Sequence, residues 1–260
     1  MDNFQTIKPE FDGLVVTLWL SRPEVHNALN DVMINEIKSF FVNIEENDVI
    51  RVVVIRGSGK SFCSGADLLW MKNAFSLNEE ENLRESKELS DMFGVIYNCS
   101  KIVIAAIQGN VFGGGNGLVA VCDLAYAVSD AVFSLSETKI GMAAASITPY
   151  LLQKVRATSL KELIFTAKKF SGDEAVQYGL INQCFPSAEE LERHVNGITA
   201  QILENGRVAV VSSKRLINRL ASQSMAVEME QIPVLLAQIR VSPEAQEGFS
   251  AFLEKRKPKW

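Results

Sequence analysis

The chain has 260 residues, of which 47% are hydrophobic, and it carries a formal net charge of −5 at pH 7. This length allows one large domain or a core with an extension, and the apolar fraction is ample for a buried core. The acidic balance gives no electrostatic footprint for nucleic acid, so a nucleic-acid partner is not expected.

The N-terminal residues and the spacing of the cysteines indicate the cellular compartment and whether a metal site is expected. Residues 1–13 lack the charged segment and apolar run of a signal peptide. The chain has two histidines, and no CxxC spacing occurs among its four cysteines, which are Cys63, Cys99, Cys122 and Cys184. The sequence therefore predicts reduced thiols, a cytoplasmic protein and no metal site.

The first half of the chain alternates apolar strands with helices. Strands are predicted at residues 14–20, 52–55 and 102–107, and a polar helix is predicted around residues 77–97. Asn30 is placed to cap an earlier helix, whose apolar residues recur at helical spacing: Met33, Ile34, Ile37, Phe40, Phe41 and Ile44. Strands separated by helices favour parallel pairing through βαβ crossovers.

Residues 102–122 carry no charge and contain three consecutive glycines, Gly113, Gly114 and Gly115. The five glycines and three amide side chains of this stretch argue against a membrane span. Glycine loses the most backbone entropy on folding, so the run indicates that something approaches the backbone closely. Two interpretations are open: a helix packed tightly on a sheet, or a helix N-terminus whose free amides bind an anion or a developing oxyanion.

The same order of strand, small-residue turn and helix start occurs earlier, where residues 60–67 (KSFCSGAD) follow a predicted strand at residues 51–57. The two loops together resemble the signature loops of the crotonase superfamily, which includes enoyl-CoA hydratases and isomerases. Residues 21–30 (SRPEVHNALN) match the first CoA-contacting loop of that family. The motifs that follow the glycines match residues 122–125 (CDLA) and 133–141 (FSLSETKIG). The resemblance covers residues 13–185.

The resemblance implies an α/β fold, with a crotonase-like ββα spiral over residues 1–186 and a helical C-terminal region over residues 187–260. Because the family forms trimers and dimers of trimers, the resemblance also implies a homo-oligomer. No membrane association is expected. In the sequence itself, capping-box patterns appear at Ser159 with Glu162, Ser171 with Glu174 and Ser187 with Glu190. Helices are expected to end at Gly179 and Gly206. The basic tail at residues 254–260 is expected to be a solvated terminus, or by resemblance part of a CoA pocket.

The resemblance also implies an acyl-CoA thioester as substrate, with coenzyme A as part of the substrate and no separate cofactor. It implies that the amides of Ala66 and Gly114 form an oxyanion hole and that Glu137 is the catalytic carboxylate. The CoA ester is then expected to be bound by His26, Ala28, Ser64, Ala66, Asp67, Leu68, Leu69 and Gly114. Arg22 and Lys60 are candidate cations for its phosphates.

Two other side chains near these loops are expected to play no chemical part. Asp67 is expected to cap a helix rather than to act as a nucleophile. Cys63 has no partner base, so a nucleophilic role is not expected for its thiol.

Gly117 departs from the family pattern, because standard enoyl-CoA hydratases carry a second glutamate at this position. One carboxylate can still move a proton within a substrate, or bind water with help from other polar groups. The loop around Glu137 and residues 146–150 (SITPY) resemble bacterial 3-methylglutaconyl-CoA hydratase-like members, which favours hydration. The alternatives are isomerisation or decarboxylation through the same glutamate, and a non-catalytic acyl-CoA-binding protein, against which the intact Glu137 argues.

Overall fold

The computed structural model describes residues 4–74, 76–222, 236, 238–239 and 242–260. The chain divides into two compact units, Met1–Asn196 and Gly197–Trp260. The predicted domain boundary between residues 186 and 187 stays a prediction. None of the helices in the described ranges combines the length and the hydropathy that a membrane span requires.

Two β-sheets occupy the first unit. Their strands are β1 Ile7–Asp12, β2 Val15–Leu20, β3 Val52–Gly57, β4 Ser61–Cys63, β5 Ile102–Ile107, β6 Asn110–Phe112, β7 Leu124–Val128, β8 Val132–Ser134, β9 Lys169–Ser171 and β10 Gln183–Phe185. One sheet has the order β1-β2-β3-β5-β7-β10 and the other has the order β4-β6-β8-β9. Among the described strands, β1 with β2 and β8 with β9 pair antiparallel, and the other pairs are parallel, as predicted.

Ten helices are described, and from residue 187 onward the described segments are helical, as predicted. The helices are α1 Asp31–Glu45, α2 Leu68–Ala74, α3 Glu79–Asn98, α4 Gly114–Val121, α5 Thr148–Leu151, α6 Ala157–Thr166, α7 Gly172–Tyr178, α8 Ala188–Leu203, α9 Arg207–Ser222 and α10 Pro243–Leu253. Short 3-10 turns lie at Pro23–Val25 and Glu137–Ile140.

Helix α1 and the caps predicted at Asn30, Ser171 and Gly179 are confirmed. The Asn30 side chain accepts a hydrogen bond from the Met33 amide at 2.9 Å, and the six predicted apolar residues of α1 are buried. Ser171 forms a complete capping box with Glu174, and Gly179 ends α7 in the left-handed conformation.

The cap predicted at Ser159 is wrong, because α6 begins at Ala157 and places Ser159 within its first turn. Nothing between Ala157 and Ser159 breaks a helix, so the helix extends past the predicted cap. Gly206 lies beyond the end of α8 at Leu203, in the connection to α9.

The basic tail is exposed but is held within the second unit. The Arg256 guanidinium contacts Glu247 at 2.6 Å, and the Trp260 indole N–H donates to the carbonyl of Glu204 at 2.9 Å. The tail is therefore solvated, as predicted, but the sequence did not predict that Arg256 and Trp260 contact other residues of this unit.

A repeated turn builds the layers that carry the site. Strands β3, β5 and β7 of the large sheet each lead directly into a short strand of the small sheet, β4, β6 and β8 respectively. β5 is buried along its whole length, which explains its uninterrupted apolar sequence. At the turn after β5, a Cβ on Gly109 would lie 2.1 Å from the Lys60 carbonyl oxygen. Only glycine fits there, so the chain passes from one sheet to the other against a neighbouring backbone.

Substituting Gly115 tests this close packing. A Cβ on Gly115 would lie 2.5 Å from the Cys63 carbonyl oxygen, whereas a Cβ on Gly197 in α8 meets nothing within 4 Å. We expect Gly115→Ala to lower the free energy of unfolding by about 1–3 kcal/mol through overpacking. The matched control Gly197→Ala should raise it by about 0.5–1 kcal/mol. Urea unfolding measures both, and a Gly115→Ala protein as stable as the wild type would contradict the packing described.

Candidate active site

The segment at residues 25–29 is docked along the loop at residues 61–67. The Ser64 amide donates to the His26 carbonyl at 3.0 Å, and the Leu29 amide donates to the Gly65 carbonyl at 2.7 Å. The Leu29 carbonyl in turn accepts from the Asp67 amide at 2.8 Å. These bonds bring the predicted CoA-contacting residues of both segments into one structure.

Asn27 is a second connection between the two segments, and sequence reasoning did not find it. Its side chain is fully buried and donates to the carbonyls of Ser58 at 2.9 Å and Ser61 at 2.8 Å. Both His26 and Asn27 have φ of 55°, a left-handed conformation that asparagine tolerates better than most residues. The buried amide stabilises this turn and thereby the position of the neighbouring backbone.

Asp67 caps α2, as predicted, and its carboxylate is committed to structural contacts. It accepts from the amides of Leu69 at 2.8 Å and Trp70 at 3.3 Å, and it pairs with Arg22 at 2.8 Å. Burial alone would raise the pKa of Asp67, but these hydrogen bonds outweigh burial and hold its pKa below the usual range. Arg22 also donates to the Ala28 carbonyl at 2.6 Å, so its guanidinium is already hydrogen-bonded within the protein. Lys60, the other candidate cation for the CoA phosphates, is exposed.

The loop with the three consecutive glycines at residues 113–115, here called the glycine loop, contacts the loop at residues 61–67 that contains Ala66. A Cβ on Gly65 would lie 2.9 Å from the Phe112 carbonyl oxygen and 3.6 Å from the Gly113 Cα. A Cβ on Gly114 would lie 3.2 Å from the Leu29 side chain. Gly114 begins α4, so its amide belongs to a helix N-terminus. In the described part of the chain, neither the Ala66 N–H nor the Gly114 N–H donates a hydrogen bond.

The Glu137 carboxyl group lies beside the glycine loop. Its Oε1 atom is 3.4 Å from the position that a Cβ on Gly113 would take. Its Oε2 atom is buried and has no hydrogen-bond partner among the described residues. Burial raises the pKa of Glu137 because the charged form loses hydration, although its own backbone amide opposes the shift. The predicted carboxylate thus lies beside Gly113, the residue that precedes the predicted donor Gly114.

Apolar side chains fill the space beside Gly117. A Cβ at this position would lie 2.3 Å from the Ile147 side chain and 2.7 Å from the Phe93 ring. Both side chains are buried. A second carboxylate at position 117 therefore does not fit beside Ile147 and Phe93 as these side chains are packed.

The remaining candidates have clear placements. Burial raises the pKa of the Cys63 thiol to about 12, so the thiol stays protonated near neutral pH and is a poor nucleophile. Leu68 and Leu69 are exposed at the start of α2. No group of three or more metal-ligating side chains occurs in the described ranges.

Comparison with known proteins identifies the family of the chain. The enoyl-CoA hydratase/isomerase family matches residues 10–260. A crotonyl-CoA hydratase from Syntrophomonas wolfei is 32% identical over 260 residues, covering 98% of this chain and 97% of the relative. A peroxisomal Delta(3,5)-Delta(2,4)-dienoyl-CoA isomerase from Arabidopsis thaliana is 30% identical over 273 residues, covering 100% and 98%. The crystal structure of an enoyl-CoA hydratase from Mycobacterium smegmatis superposes with a TM-score of 0.94 at 31% identity, covering 98% of this chain and 99% of that chain.

The raised pKa of Glu137 predicts a pH-dependent difference in stability between the wild type and Glu137→Gln. The folded protein holds this proton more tightly than the unfolded chain, whose glutamate pKa is about 4.3. This contribution is complete below the unfolded pKa and is lost as pH rises through the folded pKa. We therefore expect Tm of Glu137→Gln, relative to wild type, to increase from about pH 4 to about pH 7. A difference in Tm that is independent of pH would contradict the burial of this carboxyl group.

The filled space beside Gly117 predicts coupling between Gly117→Ala and Ile147→Ala. Each variant alone should be destabilised by about 1–4 kcal/mol, the first by overpacking and the second by a cavity. The double variant should lose less stability than the sum, because removing the Ile147 side chain makes room for the new methyl group. Gly117→Ala combined with Ile34→Ala, a buried isoleucine in α1, is the control and should be additive. Additive losses in both pairs, measured by urea unfolding, would contradict the contact.

Proposed function

The chain belongs to the enoyl-CoA hydratase/isomerase family, within the crotonase superfamily, and we propose that it converts an enoyl-CoA thioester through an enolate. The enolate oxygen is bound by the backbone amides of Ala66 and Gly114, and Glu137 transfers the proton. The observation that carries this proposal is the Glu137 carboxyl group beside the glycine loop, with a buried Oε2 atom and with Oε1 3.4 Å from the Cβ position of Gly113.

Charge development on the thioester oxygen explains why the reaction needs both loops. Removing a proton alpha to the carbonyl, or adding water beta to it, moves negative charge onto that oxygen. Two fixed N–H donors stabilise this charge, and the loss of one such donor typically costs about 3 kcal/mol of the barrier. The N-terminus of α4 adds its partial positive charge at Gly114.

Binding of the CoA portion is assigned to the docked segments. His26, Ala28 and Ser64 lie on the two backbones that are hydrogen-bonded to each other. Leu68 and Leu69 present exposed apolar surface at the start of α2, and Asp67 fixes the start of that helix. No separate cofactor takes part, and we propose that the protein acts in the cytoplasm as a homotrimer or dimer of trimers.

Hydration is the reaction we propose first, with 3-methylglutaconyl-CoA as the substrate. Glu137 takes a proton from water, the water oxygen bonds to the β-carbon, and the proton is delivered to the α-carbon. The similarity to a crotonyl-CoA hydratase supports this reaction.

Isomerisation is the second candidate, and the packing at Gly117 favours it. The space where a second carboxylate would orient water is filled by Ile147 and Phe93. A single carboxylate suffices to take a proton from one carbon and return it to another carbon of the same substrate. The similarity to a dienoyl-CoA isomerase supports this alternative.

Glu137→Gln tests the common step of both reactions. The substitution preserves shape and removes proton transfer, so we expect kcat to fall roughly a hundredfold to ten-thousandfold. Binding of the CoA ester should stay nearly unchanged, because the backbone donors are intact. Assays of hydration and double-bond migration on a short panel of enoyl-CoA esters measure the effect and show which reaction the wild type performs.

Glu162→Gln is the matched control for this substitution. Glu162 is an exposed carboxylate paired with Lys168 at 2.8 Å, so its replacement should leave turnover unchanged. If Glu137→Gln keeps turnover within a few-fold of wild type on a substrate that the native enzyme converts, another group performs the chemistry and the proposal is wrong.

A further inference from the structure

Asn116 is a fully buried polar residue in an otherwise apolar helix. It lies in the first turn of α4, and the described neighbours that follow it in the helix are glycine, leucine, valine and alanine. A buried amide without hydrogen bonds is costly, so its contacts require an explanation. Its Nδ2 group donates to the carbonyls of Ser134 at 2.9 Å, Gly113 at 3.3 Å and Val111 at 3.3 Å.

The orientation of this amide follows from its acceptors. Three carbonyl oxygens can be satisfied only by the NH2 end of the side chain, because the other end is itself an acceptor. The Oδ1 atom is buried and has no partner among the described residues. The side chain is thus oriented so that its Nδ2 group is hydrogen-bonded, while its Oδ1 atom has no partner among the described residues.

The bond to the Gly113 carbonyl acts on the proposed oxyanion donor. The Gly113 carbonyl and the Gly114 N–H belong to one planar peptide group, so fixing the oxygen fixes the direction of the N–H. The same carbonyl also accepts from the Asn116 amide at 2.9 Å. Gly113 itself has φ of 46° and ψ of −123°, a conformation that only glycine adopts readily. Asn116 therefore holds the Gly113 carbonyl with two donors, its backbone amide and its side-chain amide.

The bond to the Ser134 carbonyl acts on the end of the strand that precedes Glu137. Ser134 is the last residue of β8 and lies three residues before Glu137. Its carbonyl accepts from the Asn116 side chain and also from the Gly113 amide at 3.0 Å. One carbonyl thus joins the glycine loop, the asparagine side chain and the segment leading to the carboxylate.

We propose that Asn116 is a positioning residue that sets the orientation of the Gly114 amide relative to the Glu137 carboxyl group. It acts through the Gly113 peptide on one side and through the end of β8 on the other. This inference rests on the proposed function, because the alignment matters only if these two groups act on one substrate.

Asn116→Ala tests the inference by removing the three side-chain bonds. A small misplacement of catalytic groups can reduce turnover up to about a hundredfold, so we expect kcat to fall roughly tenfold to a hundredfold. KM should change by less than about threefold, because the CoA-binding segments are untouched. Asn116→Ser retains one donor, and its kcat should lie between those of wild type and Asn116→Ala. This second variant also keeps the test readable if the alanine variant folds poorly.

The control is Asn182→Ala, which removes another bridge between a side chain and the backbone. The Asn182 side chain accepts from the Ala125 amide at 2.8 Å, at the start of β7 and away from the glycine loop. Its loss should lower stability without lowering kcat. If both Asn116 variants have kcat values within about twofold of Asn182→Ala, the inference is overturned.

A double-mutant cycle with Glu137→Gln separates alignment from general destabilisation. If Asn116 aligns the amide with the carboxyl group, Asn116→Ala should lower the residual kcat of Glu137→Gln by a smaller factor than it lowers the kcat of wild type. Equal factors in both backgrounds would overturn the positioning role. Normal turnover of Glu137→Gln alone would instead contradict the proposed function, so the two failures are distinguishable.

Discussion

Direct contact between stretches of backbone is the constraint on which the site depends. Gly65 approaches the Phe112 carbonyl, and Gly115 approaches the Cys63 carbonyl, at distances where no Cβ fits. The loops therefore meet main chain to main chain, and they carry the amides of Ala66 and Gly114, which donate no hydrogen bond among the described residues. Because peptide groups have no rotamers, donors placed in this way need little reorganisation when charge develops on a substrate.

Burial sorts the two carboxylates of the site into different roles. Asp67 and Glu137 both lose hydration on folding. For Asp67 the Arg22 guanidinium and the first amides of α2 outweigh this loss, whereas for Glu137 its own backbone amide does not. Its pKa is lowered, and it stays a charged structural group. Glu137 has a buried oxygen without a partner among the described residues, and its pKa is raised. The pKa values of the two acids are therefore shifted in opposite directions, because their environments differ.

Much of the architecture was predictable because local patterns carry it. Strand β5 is an uninterrupted apolar run and β3 begins with four consecutive apolar residues, while α1 has both a helical apolar period and an asparagine cap. Strand β1 escaped prediction because most of its side chains are polar or exposed. The start of α6 was misplaced because a serine with a glutamate three residues later can also sit inside a helix.

The loops that form the candidate site could be predicted from the sequence, but the contacts between these loops could not. The glycine run indicates a close approach, but nothing in its spacing identifies Cys63 or Phe112 as the neighbours. The docking of residues 25–29 on residues 61–67 joins segments more than thirty residues apart, and it depends on the conformation of Asn27. Asn116 offered one signal, a polar side chain in an uncharged apolar helix, although that signal does not identify its three acceptors.

The packing beside Gly117 also constrains how this enzyme can evolve. A glycine codon can become a glutamate codon by a single nucleotide change, so mutation readily offers the missing carboxylate. The new side chain would collide with Ile147 and Phe93, which come from different segments of the chain. Descendants that gain the second acid must therefore change at least one of these neighbours first, through intermediates with a cavity in the core. In lineages of this family, the identities at these three positions should change together rather than independently.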